Sequence, residues 1–234
     1  MLKRFISGIL CVICIALCGY CASFRKDVPG SILSSTRVDQ KRVIIIDAGH
    51  GGFDGGAVAS DGTIEKDLNL EISLKVDALL RAAGYNTVLV RSTDTAINDS
   101  SDVGKAAKAG DIKNRVALMK KYPDSILVSI HMNKYSTTQP HGAQVFYSNA
   151  GGSSVLAECI QQSVAAHVQT DNRRVIKKTT KDIYLLYNAT VPAVIVECGF
   201  LSNPDDLSNL KNKDYQLKIA LAMLYGIMDY HNQN

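Results

Sequence analysis

Val43-Ile44-Ile45-Ile46-Asp47-Ala48-Gly49-His50-Gly51-Gly52 is an apolar, β-branched run that ends in a glycine-rich turn with a histidine at its tip. β-Branched side chains favour extended backbone, so residues 43–47 are expected to form a strand. Gly49, Gly51 and Gly52 permit a tight turn directly after it. An imidazole is thereby set at the carboxyl end of a strand, where open α/β sheets bind their ligands. A histidine held there can bind metal or move protons.

Downstream, the hydrophobic period alternates between that of helices and that of strands. Residues 65–83 follow helical spacing, with Leu68, Ile72, Val76, Leu79 and Leu80 on one face and Gly84 as a stop. Residues 86–90 read as a strand, and 92–110 as a polar surface loop. Residues 111–121 read as a helix capped by Asp111, and 126–130 as a buried strand ending at His131. A strand at 142–147, a helix at 153–168, a short strand at 183–187 and an apolar strand at 193–196 ending at Glu197 follow. Residues 214–230 form the closing helix. This alternation predicts an α/β fold: a single domain with a twisted, mostly parallel sheet and helices on both faces.

The 234 residues suit one medium domain with extras. A net charge of +4 with no basic stripe excludes nucleic acid as a partner. Lys3 and Arg4 precede an uncharged, mostly apolar run over 5–22. Residues 1–24 therefore read as a signal peptide or signal anchor, 25–41 as a polar linker and 42–234 as the exported domain. Four of the six cysteines fall in that leader. Cys159 and Cys198 read as buried free thiols, the alternative being a bridge between them.

Three of the expected strands end in a reactive side chain: His50, His131 and Glu197. Adjacent parallel strands bring their carboxyl ends to one edge. Glu65, which opens the helix after the His50 turn, returns to that edge. Two imidazoles and a carboxylate, with a position left for water, form a catalytic zinc set, and a further carboxylate beside it is a general base. Each residue also has a plainer alternative. His50 caps a turn, His131 donates a hydrogen bond within the sheet, and Glu65 sits where a helix dipole favours an acid. Glu197 is hardest to explain that way, because Val194-Ile195-Val196 and Cys198-Gly199-Phe200 surround it with apolar side chains.

At these residues the chain resembles the zinc-dependent N-acetylmuramoyl-L-alanine amidases. Residues 46–57 with Glu65-Lys66-Asp67-Leu68-Asn69-Leu70 resemble their first motif. Ser129-Ile130-His131-Met132-Asn133 resembles the second, and Val196-Glu197-Cys198-Gly199-Phe200-Leu201-Ser202-Asn203 the third. The likeness runs from about residue 43 to residue 231 in the family's order. Gly142-Ala143-Gln144-Val145-Phe146-Tyr147 and Ile183-Tyr184-Leu185-Leu186-Tyr187-Asn188 are similar to its germination-specific, spore-cortex branch in endospore-forming bacteria.

The resemblance implies His50, Glu65 and His131 as ligands of one Zn2+ and Glu197 as the catalytic glutamate. It implies peptidoglycan as substrate, muramic-δ-lactam formation in spore cortex as the setting, and a separate deacetylase acting downstream. Asn133 and Arg115 are candidates to contact substrate, their alternatives being a turn residue and an exposed helix arginine. Asp47 is a candidate to support the His50 turn. His141, His167 and His231 are placed away from the metal. Two rivals stay open, a different zinc hydrolase on this fold such as a carboxypeptidase, and a wall- or partner-binding module without catalysis. An accessory lipoprotein or other protein needed for activity is a further expectation, since no wall-targeting module is recognisable.

Overall fold

The structure is a computed structural model that describes residues 42–98 and 104–233. The leader and linker expected at 1–24 and 25–41 lie outside the described residues. Among the described residues, no helix is long and apolar enough to cross a membrane.

Strand β1 (Val43–Ala48) is followed by helix α1 (Glu65–Ala82), β2 (Asn86–Leu89), α2 (Gly104–Lys121) and β3 (Ile126–Asn133). Then come β4 (Gln144–Tyr147), α3 (Ser153–His167), β5 (Lys177–Lys178), α4 (Tyr184–Tyr187), β6 (Ala193–Phe200), α5 (Pro204–Lys211) and α6 (Lys213–Gln233). The strands form one sheet in the order β2-β1-β3-β6-β4-β5. Strands β2, β1, β3 and β6 are parallel, while β4 runs antiparallel to β6 and carries β5 parallel to itself.

The expected α/β architecture is present, with helices on both faces. Alternate residues of the central strands divide between two cores. Ile44, Ile46, Val128, Ile130, Val194 and Val196 pack under α1, α3 and α6. Ile45, Leu127, Ala193 and Ile195 pack under Val116 and Met119 of α2 and Leu185 and Leu186 of α4. Burial on both faces explains why these strands read as unbroken apolar runs. Asp47, Ser129, His131 and Glu197 share the parity of the second set, so their side chains emerge on the α2–α4 face near the carboxyl edge of the sheet.

Several elements differ from expectation. Within the strand expected at 183–187, Tyr184–Tyr187 is helical: Tyr187 N–H donates to Ile183 O at 2.9 Å and Asn188 N–H to Tyr184 O at 3.1 Å. Both flanks of β6 are already occupied, by β3 and β4, so no edge is left there for a strand. Helix α2 begins at Gly104, which places Asp111 inside it rather than at its cap. The Asp111 carboxylate instead accepts from Ile97 N–H at 2.8 Å, pinning the loop before the helix. Strands β3 and β6 run past His131 and Glu197 to Asn133 and Phe200. Helix α5 is unanticipated, though Asn203-Pro204-Asp205-Asp206 is a strong start signal: Asn203 Oδ1 accepts from Asp205 N–H and Asp206 N–H at 3.0 Å. Asp206 Oδ2 in turn accepts from Phe200 N–H and Gly142 N–H, each at 2.8 Å, tying the end of β6 to the segment before β4. Cys159 and Cys198 are buried free thiols.

Candidate active site

His131 and Glu197 are direct cross-strand partners on β3 and β6. His50 has a left-handed backbone, φ +60°, rare for a residue with a Cβ. The surrounding protein holds it there. Arg115 donates from Nη2 to His50 O at 2.8 Å and from Nη1 to Ala48 O at 3.1 Å. Arg91 donates to Ala48 O at 2.9 Å and Gly49 O at 3.0 Å. Gly49 N–H donates to Ile130 O at 3.1 Å, and Gly51 and Asp54 exchange two backbone hydrogen bonds. Three successive carbonyls are thus fixed by two buried guanidinium groups, each residue only 3% exposed.

Glu65 projects from the first turn of α1 across the sheet edge to both imidazoles. Its Oε1 lies 3.0 Å from His131 Nδ1 and 3.3 Å from His50 Nε2. It also accepts from Met132 N–H at 3.2 Å, and Oε2 accepts from Ala57 N–H at 2.8 Å. One ligand atom from each of His50, Glu65 and His131 lies within 4.8 Å of the others. His50 Nδ1 lies 2.8 Å from Asp54 Oδ2, which directs Nε2 inward. Glycine is required at two points. A Cβ on Gly56 would lie 2.5 Å from Glu65 Oε2 and 2.6 Å from His50 Cδ2, and one on Gly49 would overlap the His131 ring.

Burial alone would raise the Glu65 carboxyl, but the hydrogen bonds to His131 and His50 and their charges hold it well below the usual carboxylate range. Burial likewise pulls the His50 imidazole down, yet the Glu65 and Asp54 carboxylates carry it above 6.5. Glu197 behaves oppositely. Burial pushes its carboxyl up to about 7; the His131 charge opposes this, the Glu65 charge adds to it, and the His50 charge also opposes it. Its Oε2 is buried and has no hydrogen-bond partner among the described residues. A buried carboxyl without a donor is costly, so it stands ready to accept a proton.

These groups open onto a cavity of about 280 Å3 between α2 and α4, which His50, His131, Glu197, Lys108, Arg115 and Tyr184 help to line. Two imidazole nitrogens and a carboxylate oxygen suit a divalent metal of the zinc type. The donor set, the carboxylate behind His50 and the glycine-cleared space all fit such an ion.

The structure thus brings His50, Glu65, His131 and Glu197 together. Arg115 also lines the cavity, and it is not an exposed helix arginine. Arg115 is buried against Asp47 and Asp111, with Nε 2.6 Å from Asp111 Oδ2, and its Nη1 and Nη2 donate to Asp47, Ala48 O and His50 O. Asp47 supports the His50 turn through that arginine and accepts from Ser129 Oγ at 2.6 Å. Asn133 closes β3 beyond a register shift, its carbonyl accepting from Leu201 N–H at 2.8 Å. The described residues that line the cavity do not include it. His141, His167 and His231 lie outside the ligand cluster.

Sequence reasoning missed Arg91, Asp54 and Asn69. Asn69 is fully buried and donates to Gly49 O at 3.1 Å. Its signal was legible, a polar residue four positions after Glu65 beside Leu68 on the apolar face of α1.

Comparison with known proteins agrees with this arrangement. The family described as N-acetylmuramoyl-L-alanine amidase (Amidase_3) matches residues 44–229. The germination-specific N-acetylmuramoyl-L-alanine amidase of Bacillus subtilis (strain 168) is 34% identical over 199 residues, spanning 82% of this chain and 81% of that protein. Among solved structures, the CwlD amidase from Clostridioides difficile, in complex with the GerS lipoprotein, is similar at 36% identity and a TM-score of 0.79, covering 82% of this chain and 100% of that one. The amidase AmiC2 of Nostoc punctiforme is similar at 30% identity and a TM-score of 0.71, covering 83% and 98%. The chain belongs to the N-acetylmuramoyl-L-alanine amidase family.

Proposed function

We propose that this protein hydrolyses the amide joining the lactyl group of N-acetylmuramic acid to the L-alanine of peptidoglycan stem peptides, with His50, Glu65 and His131 holding one Zn2+ and Glu197 as catalytic base. The observation that carries the reading is Glu197 Oε2, buried and without a hydrogen-bond partner among the described residues, on the strand beside His131 and on the cavity that His50 and His131 also line. When bound, zinc lowers the pKa of a coordinated water to about 7 and polarises the carbonyl under attack. Glu197 accepts the proton of the attacking water and passes it to the leaving alanine nitrogen. Asp54 keeps His50 Nδ1 engaged, so that Nε2 is the ligand atom. Arg91 and Arg115 hold the His50 turn in its strained conformation throughout.

The likeness to a germination-specific amidase supports a role in spore cortex. There, cleavage exposes muramic residues that a separate deacetylase converts toward the δ-lactam. The similarity to an amidase in complex with a lipoprotein supports an accessory lipoprotein partner for this chain. Export through residues 1–24, either secreted or anchored at the membrane, puts residues 42–234 on the wall side. Muropeptide analysis after digestion with the purified protein, with and without zinc, tests the reaction. Free stem peptides beside intact glycan are expected; release of a terminal amino acid instead would make it a peptidase.

Zinc uptake is expected to depend on pH through His50. Its imidazole is raised above 6.5, so near pH 6.5 most of the metal-free protein carries a proton that zinc must displace. Affinity therefore falls as pH falls, approaching roughly tenfold per unit for one displaced proton. Competition titrations from pH 6 to 8 should show this slope, and a flat profile would remove His50 from the ligand set.

A further inference from the structure

The cavity above the ligand cluster has one polar wall that the reaction does not use. Its lining includes two cations, Arg115 and Lys108. Arg115 is spent on Asp47, Asp111 and main-chain carbonyls. Lys108, on the first turns of α2, has a side chain 61% exposed and lies 3.1 Å from Asp54 Oδ2 and 3.3 Å from Asp54 Oδ1. That pairing is looser than the 2.7 Å of Lys66 to Asp94 or the 2.6 Å of Lys211 to Asp61. Asp54 Oδ2 is also engaged by His50 Nδ1. An ammonium has three donors, so Lys108 keeps donor capacity toward the cavity.

Of the lining acids, Asp54 is the one paired with Lys108, and three others have other partners. Asp47 and Asp111 are matched by Arg115, and Asp182 accepts from Thr180 Oγ1 at 3.0 Å. Resting on the amidase reading above, we infer that Lys108 binds the free α-carboxylate of the residue after L-alanine in the stem peptide, a D-glutamate linked through its γ-carboxyl. Two residues of extended chain reach roughly 7 Å. Lys108 Nζ and His50 Nδ1 share Asp54 Oδ2, at 3.1 and 2.8 Å, which sets the ammonium beside the ligand cluster. The assignment also orients the substrate, peptide toward α2 and glycan toward α4.

The test uses the zinc-loaded full chain and two soluble muropeptides that differ only in a free α-carboxyl or an α-amide on that glutamate. The wild-type protein is expected to favour the free acid by roughly tenfold, expressed in KM. Lys108→Ala should bring the ratio near one, Lys108→Glu should invert it, and Lys108→Arg should retain it. Equal cleavage of both substrates by the wild type would overturn the assignment. So would an equal fall on both in Lys108→Ala, or zinc loss in that variant, since either makes Lys108 a prop for Asp54. Release of a terminal amino acid in place of free stem peptides would overturn the amidase reading together with this one.

Discussion

Glu197→Gln is expected to lower turnover by roughly 10²–10⁴-fold while zinc occupancy stays at the wild-type level. The substitution keeps the shape of the side chain and removes its basic oxygen. It leaves the ligand cluster intact, because His50, Glu65 and His131 hold their positions through other contacts. It also removes a liability of the metal-free fold. Burial pushes the Glu197 carboxyl up to about 7, above the ordinary 4.5. A raised acid binds more protons when folded, so its contribution to stability is full below pH 4.5 and is lost as pH rises through about 7. The glutamine variant, without metal, should therefore lose less stability between pH 5 and 8 than the wild type in denaturant titrations. Zinc loss in this variant, with full occupancy in His50→Ala, would reverse the assigned roles.

Arg115→Met carries the largest expected cost in stability, about 3–5 kcal/mol. Asp47 and Arg115 form an ion pair buried between β1 and α2, and removing the cation leaves the carboxylate with the Ser129 hydroxyl as a donor. At roughly 2–4 °C per kcal/mol for a domain of this size, melting should fall by about 10 °C. The variant also releases the His50 carbonyl and leaves Ala48 O to Arg91 alone, so zinc affinity should fall with it. A double variant that adds Asp47→Asn separates the two effects. It removes the uncompensated charge and should recover part of the stability, while zinc affinity stays low. Recovery of both would mean that Arg115 acts on the metal site only through stability.

Much of this site was legible in the chain because strands and ligands coincide. Apolar runs at 43–47, 126–130 and 193–196 each precede a residue that reaches the carboxyl edge of the sheet. What was not legible depends on partners distant in sequence. Arg115 sits 68 residues from Asp47, and only the docking of α2 over β1 turns an apparently exposed helix residue into a buried clamp. Residues 183–187 alternate weakly and look like a strand, yet a closed neighbourhood around β6 turns Tyr184–Tyr187 into a helix. Helix α2 extends seven residues earlier than its proposed cap because Asp111 is engaged by the loop at Ile97 and by Arg115.

Strand β6 has apolar residues on both faces, so hydrophobic burial alone cannot tell one sliding position from the next. A slip of one residue would still bury Val194, Ile195 and Val196, but it would turn Glu197 through the sheet, away from the cavity. The Asp206 carboxylate, which clasps Phe200 N–H and Gly142 N–H, removes that degeneracy. It acts as a detent at Phe200, three residues downstream of the base. The reading frame of the active site is thus set by a side chain that never faces the substrate.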